Sequence, residues 1–363
     1  MAIRELVSLL KRCARKALLA AWIVGFACVV HADPVFPEAS WNTPTPTGQP
    51  SGWSQEKLKL ADEFAASIRS DAYLVIHRGS LVHAYGDISQ PMNLASVRKS
   101  VLSILYGIYA DRGVIDLNQT LGELGITDKG GLSDLERSAT VRQLLQSRSG
   151  VYHLAAYETS EAKKDRPARG SHAPGEFWYY NNWDFNALGT IFQQKTGKNV
   201  FEAFKAELAD PLQLEDFRYP EDTEFVREKS SDHPAYVMNL SARDLARIGL
   251  LVSRHGQWKN REIVTSKWLQ ESTTSYSTVG QGWNGYGYMW WVPMKAFPFW
   301  RHSPNQLAFA VGVGGQFMLI DRVRDIVVVH RVNNSRLWFK RNEVSGEQFA
   351  GLAARIIAAG PRE

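Results

Sequence analysis

The spacing of apolar residues changes along the chain, and each change marks a different element. In "SQEKLKLADEFAASIRS" the residues Leu58, Ala61, Phe64, Ala65 and Ile68 share one helical face, with Ser54 placed as the cap. "AYLVIHRGSLVHAYG" then gives two apolar runs around Arg78-Gly79-Ser80, the pattern of a β-hairpin. A second helix is predicted in "SVRKSVLSILYG", where Val97, Val101, Leu102, Leu105 and Ile108 anchor it in a core. A long, mainly helical stretch follows. β character returns only from about residue 286, in "YGYMWWV", "QLAFAVGV", "GQFMLI" and "DIVVVHRV", and "GEQFAGLAARIIAAG" closes the pattern as a helix. These segments predict an α+β fold: one antiparallel sheet assembled from both ends of the chain and flanked by helices, with an α-rich lobe inserted at about residues 136–240 and a cleft between the lobes. No internal repeat interrupts the series.

The first 50 residues follow another pattern. Arg4, Lys11, Arg12, Arg15 and Lys16 precede the apolar run "ALLAAWIVGFACVV", and Val30-His31-Ala32 offers small residues at the offsets of a cleavage site. Residues 1–32 are therefore expected to be a signal peptide cut after Ala32, which puts the mature protein in the periplasm or outside the cell. An uncleaved anchor is the weaker reading, because the run is short for a span of roughly 20 residues. Residues 33–50 hold five prolines and read as an extended leader into a domain at 51–360.

Removing the signal changes the charge picture. It carries five of the 42 basic residues and one of the 37 acidic ones, so the remainder balances at 37 to 36. With no lysine-rich stripe interleaved with aromatics, nucleic acid is excluded as an expected partner. The membrane is expected to be met only through the signal during export. Both cysteines, Cys13 and Cys28, lie in the signal, and Gly25-Phe26-Ala27 fits a lipidation site poorly. The mature chain is thus expected to have no thiol and no disulfide.

Candidate chemistry starts with Ser-x-x-Lys, which occurs four times: at Ser8–Lys11, Ser54–Lys57, Ser96–Lys99 and Ser160–Lys163. The first is in the signal, the second starts a surface helix and the fourth lies in the polar stretch "ETSEAKKDRP". Only Ser96 opens a strongly apolar helix. Residues three apart share a helix face, about 5–6 Å between Cβ atoms, so Lys99 reaches the Ser96 hydroxyl. A lysine held at a buried helix start loses its proton more readily, which would make Ser96 a nucleophile. The plainer alternative is a capping serine beside a lysine that extends to solvent. A second stretch, "PGEFWYYNNWDFNALG", presents tyrosine and asparagine ahead of a helix, or else packs an aromatic loop on the core. His153, His172, His233 and His330 lack metal-ligand spacing and read as structural, and Ser241 with Asp244 reads as a helix start. Trp178, Trp183, Trp290, Trp291 and Trp300 divide between core and cleft. Neither Gly-x-Ser-x-Gly nor His-Glu-x-x-His occurs.

Taken together, "SVRKSVLSILYGIYADRGVIDL", "VRQLLQSRSGVY", "PGEFWYYNNWDFNALG", "MNLSARDLARIGLL" with the "GQW" after it, and "GVGGQF" resemble the serine hydrolases of the class C β-lactamase and penicillin-binding-protein superfamily, over about residues 51–358. The resemblance implies a β-lactamase/transpeptidase-like fold and an acyl-enzyme on Ser96. Lys99 and Tyr180 would exchange the proton and Asn182 would orient Lys99 and substrate, with spacing from Pro174 favouring this pair over Tyr179 and Asn181. The superfamily also carries Lys-Thr-Gly or His-x-Gly on a strand bordering the cleft. Lys195-Thr196-Gly197 is read as a helix end instead, and the strand element as Gly312-Val313-Gly314. The implied oxyanion hole is the Ser96 and Gly315 N–H groups, with Gly312 and Gly314 flanking the substrate. A glycine at 312 removes the cation that would hold a substrate carboxylate, unless Arg301 or His302 supplies it. The chain is in this respect more similar to 6-aminohexanoate-dimer hydrolases and related esterases. A small neutral ester or amide is the expected substrate, with no cofactor and no metal. The competing readings are a β-lactamase or D-alanyl-D-alanine peptidase, and a binding protein that kept the fold without the reaction.

Overall fold

The computed structural model describes residues 34–41, 52–279, 284–294, 306–334 and 343–361. The signal, much of the proline leader, Trp300, Arg301 and His302 lie outside them.

In chain order, α1 (Gln55–Ser67) leads into the hairpin β1 (Ala72–His77) and β2 (Ser80–Gly86), then the short β3 (Met92–Asn93) and α2 (Val97–Asp111). Further on come α3 (Asn182–Thr196), β4 (Thr223–Val226), β5 (Ala235–Leu240) and α4 (Ala242–Ser253). A small hairpin, β6 (Gln257–Trp258) and β7 (Arg261–Glu262), precedes β8 (Ser277–Val279), β9 (Asn284–Tyr286) and β10 (Trp291–Pro293). The last elements are β11 (Leu307–Gly312), β12 (Gln316–Asp321), β13 (Ile326–Arg331) and α5 (Gly346–Ala359).

The main sheet has eight strands in the order β2-β1-β13-β12-β11-β10-β9-β8, each pair antiparallel. β13 lies between β1 and β12, with Tyr73 opposite His330 and Leu319 opposite Val328. Strands from both ends of the sequence therefore share one sheet, as the pattern predicted. β1, β12 and β13 are buried at every position, which explains their unbroken apolar runs. On one face Tyr73, Val75, Phe317 and Val328 pack against Leu58, Ala61 and Ala65 of α1 and Phe349, Leu352 and Ile356 of α5. On the other, Leu74, Ile76, Met318 and Val327 join the larger core with α2, α3 and α4.

Two expectations change. The stretch expected to be mainly helical contributes β4 and β5 to a three-stranded sheet, β3-β5-β4, whose third strand precedes α2, and the main sheet starts at Ser277 rather than near residue 286. β5 is buried at five of its six positions, and β8, β9 and β10 have three residues each. Strands so short or so covered show no alternation of apolar and polar residues.

Candidate active site

Ser96 stands at the head of α2 with helical backbone angles (φ −79°, ψ −8°), and its side chain makes no capping bond. The turn before it is tight: Ala95 has φ +46°, its N–H donates to Asn93 Oδ1 at 2.6 Å, and the Val97 N–H donates to the Leu94 carbonyl at 3.0 Å. One turn into the helix, Lys99 is 2% exposed. Its Nζ lies 3.0 Å from Ser96 Oγ, 2.9 Å from Tyr180 Oη and 2.8 Å from Asn182 Oδ1. Burial, aided by the neighbouring Arg98 charge, holds the ammonium well below the ordinary lysine range, while Glu158 opposes the shift. The rings of Tyr180 and Phe185 lie 4.4 and 4.5 Å from Nζ, contacts that favour the cation.

These three contacts limit what a neutral lysine does. An amine has two N–H donors and one lone pair, and Asn182 Oδ1 only accepts. One N–H therefore goes to Asn182, and of the two hydroxyls one receives an N–H while the other faces the lone pair. The geometry supplies a proton acceptor for Ser96 or for Tyr180 without moving a side chain.

Tyr180 reaches the site from the loop before α3. Its ring stacks on Trp291 (centroids 5.9 Å apart, 22° between planes) and meets Phe185 at 5.0 Å. Burial pushes its hydroxyl up to about 12, against a hydrogen bond with Ser96 and the Arg98 charge that pull it down. It is therefore a proton donor at neutral pH. Asn182 opens α3, and the residue before it does the capping: Asn181 Oδ1 accepts from the Trp183 N–H at 3.2 Å, and its Nδ2 donates to the Val151 carbonyl and to Asp184 Oδ1. Tyr179 points away, donating to the Ala162 carbonyl at 2.6 Å. Ser96, Lys99, Tyr180 and Asn182 thus converge, and Tyr179 and Asn181 do not join them.

The strand wall is the end of β11. Alternation turns Phe309 and Val311 toward the α5 layer, and Ala308 and Ala310 toward the α2 side. Gly312 is pressed against the turn before Ser96: a Cβ there would lie 2.6 Å from the Leu94 carbonyl oxygen and 3.1 Å from Ala95 Cβ. The hairpin closes through Val313, Gly314 (φ +82°) and Gly315 (φ +95°), and Gly312 pairs with Gln316.

A family model described as Beta-lactamase matches residues 59–341. The chain belongs to the beta-lactamase family. An uncharacterized protein of Alkalihalophilus pseudofirmus is 25% identical over 309 residues, 76% of this chain and 86% of that one. Among solved structures, a Bacillus anthracis protein provisionally assigned as a 6-aminohexanoate-dimer hydrolase superposes with a TM-score of 0.63 at 19% identity, covering 90% of this chain and 87% of that one. A penicillin-binding protein from Bacillus halodurans gives 0.61 at 16% identity, covering 81% and 99%. EstCE1, a hydrolase with promiscuous acyltransferase activity, gives 0.59 at 16% identity, covering 84% and 97%. At these identities the superpositions establish a shared β-lactamase/transpeptidase-like fold.

For this beta-lactamase family chain the structure moves one part of the expected site. Gly315 faces inward: its carbonyl accepts from His330 Nδ1 at 2.8 Å, and a Cβ there would strike Val332 and Val344 in the α5 layer. The glycine against the serine turn is Gly312. If Gly312 is the glycine of the Lys-x-Gly pattern, the cation position falls on Ala310, two residues back on the same face, and not on Gly312. Gly314 lies beyond the wall, its carbonyl accepting from Asn334 Nδ2 at 3.2 Å. Among the described residues the strand still offers no cation. Lys195-Thr196-Gly197 ends α3, with Gly197 left-handed at φ +71°. Trp183 and Trp290 are core, whereas Trp178 and Trp291 border Tyr180 or its neighbours. His330, expected to be structural, has two partners, Ser70 Oγ at 2.7 Å and the Gly315 carbonyl, so it ties the β11–β12 turn to the loop before β1. No sequence spacing signals that bond.

Proposed function

We propose that the protein is a serine hydrolase that cleaves ester or amide bonds of small neutral substrates through an acyl-enzyme on Ser96. One observation carries the reading: a buried lysine amine surrounded by three neutral oxygens at 2.8–3.0 Å, one of them the serine Oγ. Ser96 Oγ adds to the substrate carbonyl carbon as its proton passes to the Lys99 lone pair. The carbonyl oxygen becomes an anion facing the Ser96 N–H and, on the relocated wall, the Val313 N–H. Neither N–H has a protein acceptor among the described residues. Donors of this kind are each worth about 2.7–4 kcal/mol of barrier lowering. Tyr180 Oη protonates the leaving oxygen or nitrogen and regains a proton from Lys99. The carbon–leaving-group bond breaks and the acyl group stays on Ser96. Water then adds to the acyl carbon, giving its proton to the same pair, and Ser96 departs reprotonated.

Neutral substrates are favoured because a carboxylate at Ala310 or Gly312 would lose its water with no charged partner among the described residues. Residues 1–32 we assign to export with cleavage after Ala32, which the N-terminus of the exported protein tests.

The test of the reaction is covalent. A fluorophosphonate should add one adduct, mapped to Ser96, and a short-chain p-nitrophenyl ester should exceed a chromogenic cephalosporin in kcat/KM by at least about tenfold, roughly 1.4 kcal/mol. Cephalosporin turnover equal to or above the ester would return the β-lactamase reading. Absence of both adduct and turnover would favour a binding protein.

A further inference from the structure

Beside Ser96 lies a cavity of about 450 Å³. Ala95, the residue before the serine, and Val313, the residue after Gly312, both line it, so it opens against the reaction site. Its chemistry differs from that site. Asn93, Asn239, Asn333 and Asn334 contribute to its walls with Tyr157, and Glu343 is the one charged residue among the described residues that line it.

Tyr157 is set up as a platform. It is 41% exposed, an unusual state for a large aromatic, and has a left-handed backbone at φ +62°. Its N–H donates to Glu228 Oε1 at 2.9 Å, and its hydroxyl accepts from Asn93 Nδ2 at 3.3 Å. The Arg98 guanidinium sits 5.4 Å from its centroid. Strained backbone held by several partners is a feature of binding sites.

Among the described residues, the two arginines nearest the cavity, Arg98 and Arg331, are buried. Arg98 is 3% exposed and donates to the Ala95 carbonyl at 2.6 Å, while Arg331 is fully buried and donates to the Met92 and Asn93 carbonyls at 2.6 and 3.1 Å. Among the described residues a ligand meets the Asn239 amide, able to donate and accept, a carboxylate that accepts from two hydroxyls at once, and an aromatic face for C–H groups. The volume falls within the range of small-ligand pockets.

We infer that this cavity is the subsite for an uncharged, hydroxyl-rich group the size of one sugar ring, carried by the ester or amide that Ser96 attacks. The inference rests on the serine hydrolase reading for its reaction but not for its binding. The Asn239 amide pairs with two neighbouring hydroxyls, Glu343 accepts from a vicinal diol, and the ring's C–H face covers Tyr157. A carboxylated sugar is disfavoured by Glu343.

Acetate release from methyl O-acetylglucopyranoside is compared with release from ethyl acetate, using the full mature protein. The expected ratio of kcat/KM values is at least about tenfold in favour of the sugar ester, and Tyr157→Ala and Asn239→Leu should each cut that ratio at least about threefold. Thermal unfolding of each variant checks that it folds. A ratio near one, a ratio unchanged in both folded variants, or faster release from an acetylated methyl glucuronoside overturns the subsite. In parallel, Ser96→Ala protein is titrated with the sugar ester and followed by tryptophan fluorescence. Saturable binding weakened by Tyr157→Ala supports the subsite even if no ester is turned over, and no binding overturns it. Failure of the serine hydrolase reading shows separately, as absence of the Ser96 adduct and of acetate from either ester.

Discussion

The helices α1 and α2 begin with the same four-residue pattern and use it in opposite ways. At α1, Ser54 is extended (φ −84°, ψ 112°), its hydroxyl accepts from the Lys57 N–H, and Lys57 Nζ runs along the surface to the Ala358 carbonyl at 2.9 Å. At α2, Ser96 is already helical, caps nothing, and its hydroxyl faces Lys99 Nζ. A cap needs the extended backbone that carries Oγ over the first free N–H groups. Rotating ψ into the helical range withdraws Oγ from them and leaves it for a side chain. The left-handed Ala95 and its bond to Asn93 impose that rotation. Ser160 shows a third outcome: Thr159 does the capping, and Ser160 and Lys163 lie in an exposed turn. A hydroxyl at a helix start thus stabilises the helix end or serves a buried lysine, and the preceding residue decides which.

The widest separation between the two helix starts should come from truncating each serine. Ser96→Ala is expected to lower hydrolysis of an activated ester by at least about 10³-fold with stability within about 0.5 kcal/mol, since no cap is lost. Ser54→Ala should leave the rate alone and cost about 1 kcal/mol of stability. Esterase assays and chemical denaturation of both variants decide, and the opposite pattern would exchange the two assignments.

Next in size is the tyrosine pair. Tyr180→Phe keeps the stacking on Trp291 but removes the hydroxyl at Lys99, and turnover should fall about 10²-fold. Tyr179→Phe gives up only a bond to the Ala162 carbonyl and should change the rate by less than about threefold. If Tyr179→Phe were the slower enzyme, the site would have been drawn around the wrong ring.

Smallest is the pH effect, which distinguishes Lys99 from Lys57. Burial lowers the folded value of Lys99 from 10.5. Between that lowered value and 10.5 the unfolded chain binds one proton more than the folded chain, so stability rises with pH, by up to about 1.4 kcal/mol per unit. kcat/KM should rise through the same lowered value as the amine becomes free. Lys99→Met should flatten the stability rise, measured by denaturant midpoints across alkaline pH, and Lys57→Met should not. An unchanged slope in Lys99→Met would show that the amine stays charged.

Much of this was legible before any coordinates. The face of α1, the β1–β2 turn and the apolar anchor of α2 follow from residue spacing, because each element buries one side and exposes or caps another. The resemblance, with the spacing from Pro174 choosing the register, is what pointed to Tyr180 and Asn182 as partners of Ser96. The wall was legible only as a run of glycines. Gly312, Gly314 and Gly315 are equivalent as letters, and only the closeness of the Leu94 carbonyl shows which one borders the serine turn. β3, β4 and β5 escaped notice for a related reason, since neither their length nor their burial leaves a period to read. The Ser70–His330–Gly315 link depends on one ring nitrogen meeting Ser70, 260 residues away, and the other the Gly315 carbonyl, 15 residues away.

The sheet order also sets a timetable. Ser96, Lys99 and Tyr180 are all synthesised before β11, and β13 must enter between β1 and β12 to complete the sheet. A growing chain therefore carries Ser96 and Lys99 without the wall against which, in the proposed reaction, a carbonyl would be polarised. Its β1 edge stays unpaired until nearly the last strand is made, and pairings of such long sequence separation form slowly. On the proposed mechanism, reactivity is the last property this chain acquires, and a product truncated before β11 would keep Ser96 and Lys99 without the wall that would hold a substrate.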